Sequence, residues 1–395
     1  MRPDARNRPL LPPDATAGVA TFIDPTVTID RPEAVRLAER IYLAPFASLR
    51  TGANRIVIGA QSNLQDGVLV DASPGVVALG ERVIAAHGAS IIGPARIGEG
   101  EPSGAPEADA GVFLSFGARV EGAILERDTA VSALARVGPG VRLPSGVMIL
   151  PGKDVTVQDE AERPELGKVR TLTDADRAFS AAVVRVNLAF ARDYTALCRD
   201  DAEHVLGVNF APGGAGALPR TGVAHGGGSA TREPHFRNRI IGDVRLADEL
   251  DRLDGVLGWR IALRADEGTP FVIGRIANMG DRVVLHALEG SRLRLGDGVR
   301  FGEGAIVHGG DLPAEHGHDE PRPTSVGDDV VLGAGCVVFR SRIGEGARIG
   351  AYSAVIGTEL PSGAVVEDRT VIVDGGVFGP VEWPPDDEMA PHPPA

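Results

Sequence analysis

Cysteine, lysine and aromatic side chains are all scarce in this 395-residue sequence. Its 2 cysteines, Cys198 and Cys336, cannot build a disulfide framework or a cysteine-rich metal site. Lysine occurs only at Lys153 and Lys168, no run of basic residues is present, and the formal net charge is −14. A nucleic-acid partner, which needs a basic patch to meet phosphates, is excluded on that balance. An apolar leader is missing from MRPDARNRPLLPPDA, and no apolar run approaches the length of a membrane span. A soluble, cytoplasmic protein with no membrane partner is therefore expected. Aromatics amount to only 4%, so the core must be made of Val, Ile, Leu and Ala; with 52 glycines, this suits a repetitive β-coil better than a sandwich built on large aromatic anchors.

What the sequence does contain is a short repeat. An aliphatic or aromatic residue followed by glycine recurs at Ile58-Gly59, Leu79-Gly80, Ile97-Gly98 and Val137-Gly138, and again from Ile273-Gly274 to Ile349-Gly350. Leu295 and Phe301, Val326 and Leu332, and Ile343 and Ile349 are each 6 residues apart. A hexapeptide period is the signature of a parallel β-helix, in which the apolar side chain points into the coil and the glycine helps the chain round a corner.

A longer repeat overlies it. SLRTGANRIVIGAQSNLQDGVLV from Ser48 and ALRADEGTPFVIGRIANMGDRVVLH from Ala262 both run Leu-Arg, apolar strand, Ile-Gly, Asn-x-x-Asp; downstream, RLPSG at 142–146 answers ELPSG at 359–363. Shared markers in a shared order indicate a tandem duplication. Between the halves, residues 171–197 lack Gly and Pro and carry apolar residues at helical spacing, with Thr173 or Asp174 as the cap. The expected organisation is a poorly ordered tail at 1–19, a first β-helix at 20–170, a helix at 171–205, a Gly-rich linker at 206–235, a second β-helix at 236–380 and a second tail at 381–395.

The second half resembles a gamma-class carbonic anhydrase through RADEGTPFVIG (264–274), NMGDRVVLHALEG (278–290), GEGAIVHGG (302–310) and VGDDVVLGAGCVVFRSRIG (326–344). The first half resembles it more weakly, through SNLQDG (62–67), AHGASIIGP (86–94) and a helix holding Val186-Asn187-Leu188. The resemblance implies an all-β solenoid of two tandem left-handed parallel β-helices, with one long α-helix after the first. In that family three β-helices form a ring, and three histidines, two from one subunit and one from its neighbour, hold a metal at each interface. Three neutral imidazoles leave a position open for water, whose pKa the metal lowers toward neutrality so that hydroxide can attack carbon dioxide; a nearby carboxylate can carry the released proton away.

Carried over residue by residue, the first and third ligands are His286 and His308, while Glu303 stands at the second position of that half. The first half keeps only the second ligand, His87, and has Asp71 and Ile92 at the others. Each ligand thus survives once, on complementary halves, and the resemblance implies a site shared by His87, His286 and His308. It also gives Glu267 the place of an active-site glutamate and Glu289 that of a proton shuttle. Gln65 and Asn187 match catalytic amides, with Gly280 standing where the second half would need a glutamine. Arg264 and Asp266 match an interface ion pair, Arg50 is the first-half remnant of that pair, and Asp66 and Asp281 are the matching loop acids. Taken bottom-up, Glu303, His316 and His318 remain alternative ligands, since carboxylates also bind zinc and both histidines lie in a polar insertion of the same half. Cys336 reads as a small buried hydrophobe.

The implied activity is reversible hydration of carbon dioxide to bicarbonate with zinc, or with iron or cobalt in its place, in a protein that self-associates through β-helix faces. Two alternatives stand beside it: an inactive assembly protein that keeps the fold, and a hexapeptide acyltransferase-like enzyme.

Overall fold

A computed structural model describes residues 21–24, 26–100, 110–200, 238–242, 244–248, 255–266, 271–288, 290–312 and 322–383. The chain is an all-β solenoid of about 13 turns, in two tandem parallel β-helices with one long helix after the first. Each half has three parallel faces: sheets of 8, 7 and 6 strands in the first and of 8, 7 and 5 in the second. The tail expected at 1–19, the linker at 206–235 and residues 384–395 of the tail expected at 381–395 lie outside the described residues.

The repeat builds the core directly. Alternate side chains of a strand point to opposite faces, so equivalent residues of successive coils stack into columns. In the first half Leu49, Val70, Ile91, Val120 and Val137 occupy successive rungs of one face, all fully buried. In the second half Leu263, Leu285, Val307, Val338, Val355 and Ile372 do the same. Full burial of each such side chain stabilises by roughly 1.5–3 kcal/mol. The 8-stranded sheet of each half ends in an antiparallel pair, Val147–Ile149 with Val169–Thr171 and Thr370–Val373 with Gly376–Pro380. These turn-backs occupy the last open strand edge of one sheet in each half.

The long helix runs over Asp174–Asp200. Thr173 caps it: its hydroxyl accepts from the Asp176 N–H at 3.2 Å, while the Asp176 carboxylate accepts from the Thr173 N–H at 2.7 Å. The helix packs along Phe22–Ile23 and Tyr42–Leu43.

The halves meet along an apolar seam in which Phe46, Phe116 and Leu134 of the first pack with Val284, Ile306 and Val337 of the second. Residues 381–383, which composition places in the second tail, belong to the fold. Val381 and Trp383 are buried in the seam, and the Trp383 indole N–H donates to the Leu134 carbonyl at 2.7 Å. An indole whose one donor is satisfied is a favourable residue to bury, and this outweighs the surrounding prolines. Among the described residues no helix is long and apolar enough to cross a membrane.

Candidate metal centre

His286 and His308 follow from the coil. They sit on Val284–Ala287 and Ile306–Gly309, which pair in register so that His286 faces His308. Leu285 and Val307 point inward, so the next residue on each strand points outward, one rung apart. That outer face is the one the first half covers. His87 comes from the corner after Val83–Ala85. Gly88 follows at φ +68, and a Cβ there would come within 3.2 Å of Ile306 Cδ1. The corner therefore needs a residue that accepts this backbone and lets the halves approach.

The three imidazoles converge. His87 Nε2 lies 3.2 Å from His286 Nδ1, which lies 3.2 Å from His308 Nε2. All three are buried, and among the described residues they are the group of His, Cys, Asp or Glu that could share an ion, with ligand atoms within 4.8 Å of one another. The other nitrogen of each ring faces an acceptor. His87 Nδ1 lies 2.9 Å from Asp66 Oδ2, His286 Nε2 3.2 Å from Asp266 Oδ1, and His308 Nδ1 2.9 Å from the Gly309 carbonyl. Those acceptors hold the protons on the outer nitrogens and leave three lone pairs aimed at one another. Three converging lone pairs repel unless a cation lies between them. A tetrahedral ion with imidazole ligands at about 2.05 Å sets them about 3.3 Å apart, close to the His87–His286 and His286–His308 spacings.

Behind the rings lies a buried charge network. Arg264 Nη1 donates to Asp66 Oδ2 at 2.6 Å, joining the halves, and its Nε donates to Asp266 Oδ2 at 3.0 Å. The Tyr194 hydroxyl reaches across from the helix to Asp266 Oδ2 at 2.8 Å. Burial alone would raise the Asp66 carboxyl, but Arg264 and then His87 bring it down to about 2. Asp266 likewise lies well below the usual carboxylate range, its burial outweighed by Arg264 and His286. Burial, and next the Arg264 charge, lower His286 from 6.5 to about 4; burial also takes His308 well below its ordinary value.

These shifts set an acid lability. Below pH 6.5 the unfolded chain takes up protons that the folded metal-free site refuses, so stability is full above that pH and falls toward pH 4. His286 alone contributes a loss of about 2 kcal/mol between pH 7 and pH 5. Thermal unfolding of metal-free protein across that window is expected to show the decline, and a flat profile would contradict the assignment of neutral, buried rings.

Other residues singled out in the sequence divide into two groups. Gln65 and Asn187 join the site: Gln65 Nε2 donates to Asn187 Oδ1 at 2.5 Å, and Gln65 Oε1 is buried without a partner. Because the first half brings Gln65 beside His87, Gly280 leaves no gap; it packs on the backbone of Glu303, where a Cβ would come within 2.7 Å.

Glu303, Asp281 and Arg50 stand apart. Glu303 is not among the three converging imidazoles and pairs with Arg282 at 2.8 Å on a partly exposed corner. Asp281 accepts from the Trp259 N–H at 2.9 Å and belongs to a turn. Arg50 lines a second cavity along the seam with Arg260 and Arg282, with Asp66 on the same wall. Asp71 accepts from the Ser73 N–H. Glu267, Glu289, His316 and His318 lie outside the described residues. Cys336 is fully buried, its thiol pushed up to about 12 by burial.

The sequence reading missed Tyr194, Phe190 and Tyr42: Tyr42 stacks on the other two rings, and Tyr42 and Phe190 lie against the Arg264 guanidinium. A signal was present: Asn187, Phe190, Ala191 and Tyr194 fall at i, i+3, i+4 and i+7, one face of the helix.

The family model described as "Hexapeptide repeat of succinyl-transferase" matches residues 321–340 and 341–368. Over those residues, and in its coiled sheets, the chain is similar to hexapeptide-repeat β-helix proteins. Within that class it is homologous to gamma-class carbonic anhydrase and to proteins similar to it. The carbonic anhydrase of Methanosarcina thermophila is 32% identical over 139 residues, 34% of this chain and 54% of that protein. The carboxysome assembly protein CcmM of Nostoc sp. is 31% identical over 140 residues, 35% of this chain and 24% of that protein. A serine acetyltransferase of Mycobacterium tuberculosis is 34% identical over 132 residues, 32% of this chain and 48% of that protein. The chain thus spans about half the length of that carbonic anhydrase and about a quarter of that CcmM.

Proposed function

We propose that the chain is a carbonic anhydrase, hydrating carbon dioxide reversibly at one ion held by His87, His286 and His308. The observation that carries this reading is the set of three buried imidazoles, each with its outer nitrogen on an acceptor and its inner lone pair aimed at a common point. Zinc suits three neutral nitrogen donors, with iron or cobalt as alternatives. Such an ion supplies Lewis acidity and a nucleophile derived from water at neutral pH.

The chain's own residues do the rest. Asp66, Asp266 and the Gly309 carbonyl fix the ring orientations. The unpartnered Gln65 Oε1 would accept a hydrogen bond from a donor entering the site, and Asn187 holds the Gln65 amide in place. Glu267 and Glu289, by the family resemblance, carry protons between the site and buffer. Because all three histidines come from one chain, the site needs no second copy.

Zinc-loaded full-length protein is expected to hold about one ion per chain and to hydrate carbon dioxide in a stopped-flow indicator assay. Similarity to carboxysome assembly proteins favours a second reading, a noncatalytic assembly role. One ion per chain with no hydration above buffer would select that reading over the enzyme.

A further inference from the structure

The second half lines the seam with a column of corner residues. Arg260, Arg282, Gly304, Gly335 and Tyr352 follow one another on successive coils. From Arg282 onward, each N–H donates to the carbonyl just before the corner residue of the coil below. All of them hold left-handed backbone, Arg260 at φ 60 and Arg282 at φ 59. Glycine is the unstrained residue for such a corner and fills two of these. An arginine there keeps a conformation that its Cβ disfavours, and strain of that kind clusters at binding sites.

The side chains so placed are cations that face other cations. Arg50, Arg119, Arg260 and Arg282 line one cavity of about 160 Å³ between the halves. Glu121 holds Arg119, and Glu303 holds Arg282. Asp66, the acid on the same wall, is fully buried and engaged by Arg264 and His87. Arg50 and Arg260 have no acid. Among the described residues Arg50 makes no ion pair, and the Arg260 guanidinium gives one hydrogen bond, to the Phe46 carbonyl at 3.1 Å. Arg260 is open to solvent over part of its surface, yet burial of the rest and then the Arg282 and Arg50 charges hold it below its ordinary value, with no carboxylate to offset them. A guanidinium does not lose its proton at neutral pH, so an anion is what relieves this repulsion.

We propose that this cavity binds a compact dianionic oxyanion of the phosphate type, held between the Arg50 and Arg260 guanidiniums. Two cations without acids match two negative charges, and each guanidinium offers a fork of donors to a tetrahedral oxyanion. Five heavy atoms occupy on the order of 100 Å³, which the cavity accommodates. The space falls short of the about 300–1,000 Å³ typical of sites for larger organic ligands. None of the three histidines lines it, so the proposal stands apart from the hydration reading.

Calorimetry of inorganic phosphate with full-length protein at low ionic strength, zinc-loaded and metal-stripped, tests it. One phosphate per chain is expected in both forms, about ten-fold or more tighter than acetate. Arg260→Gln and, separately, Arg50→Gln are expected to weaken phosphate by about ten-fold or more. Arg260→Gly suits the left-handed backbone, so it is expected to lose the same binding while its thermal transition in phosphate-free buffer is retained. Arg348→Gln removes an exposed cation on the 5-stranded sheet of the second half and is expected to change nothing. Absence of binding at millimolar phosphate overturns the proposal. Binding that disappears with the zinc belongs to the ion and overturns it as well. So does a loss in Arg348→Gln equal to that in Arg260→Gln, which would reduce the effect to general surface charge, or acetate bound as tightly as phosphate.

Discussion

Replacing His87 by alanine is expected to lower the zinc affinity of the full chain by roughly a thousand-fold, beyond the 10- to 100-fold typical of an outer-shell change. The same loss is expected for His286→Ala. The two residues are 199 positions apart, on different β-helices, yet Nε2 of one lies 3.2 Å from Nδ1 of the other. Zinc bound by two imidazoles instead of three loses a full coordinate bond. Asp66→Asn keeps all three ligands and disturbs only the orientation of His87, so it belongs to the milder class. Competition against a chelator of known affinity measures all three. If His87→Ala binds zinc as tightly as the unaltered chain, the ion belongs to the second half alone and the shared site is wrong.

How much of this was legible before the fold was known depends on what a periodic sequence encodes. The hexapeptide period states which side chains point inward, so Leu285 and Val307 as core, and His286 and His308 as outward neighbours one coil apart, could be read directly. It does not state which outer face of one coil meets which face of another. That depends on the seam, where Phe116, Leu134 and Trp383 are spread over 268 positions of sequence (383 − 116 + 1) and share no period. The complementary survival of ligands hinted at the pairing, whereas the place of Glu303, paired with Arg282 and apart from the imidazoles, could not be read from the period. Tyr194 went unread for a different reason. Its helical spacing from Asn187 was visible, but its partner Asp266 lies on the other half, and spacing within one helix names no partner. The cavity beside the three histidines was also illegible, because Phe113 and Phe116 line it from one coil and Phe179 from the helix, and nothing in the sequence says that they share a wall.

The largest stability effect is expected at Arg264. Its guanidinium is fully buried, with Asp66 of the first half and Asp266 of the second as its anions and the Tyr42 and Phe190 rings at 5.7 and 5.1 Å. Burial by itself disfavours the charged form, but Asp266 and Asp66 more than offset it, and the group is held well above its ordinary value. Arg264→Met fills much of the same volume and leaves two carboxylates in a dry seam without their cation. Breaking a buried pair in this way costs about 3–5 kcal/mol, most of it the penalty of the stranded charges. Arg264→Lys keeps the charge but loses the fork that reaches both acids at once, so a smaller loss is expected. The stranding argument has a sharper consequence. Adding Asp66→Asn and Asp266→Asn to Arg264→Met removes the unpaired charges, and the triple variant is expected to recover part of what the single variant lost, although three charged groups are then gone. Urea unfolding of the single and triple variants, metal-free at pH 7, measures the difference. A triple variant less stable than Arg264→Met alone would mean that the hydrogen bonds Asp66 and Asp266 make with His87, Tyr194 and His286 hold the seam, and not the guanidinium between them.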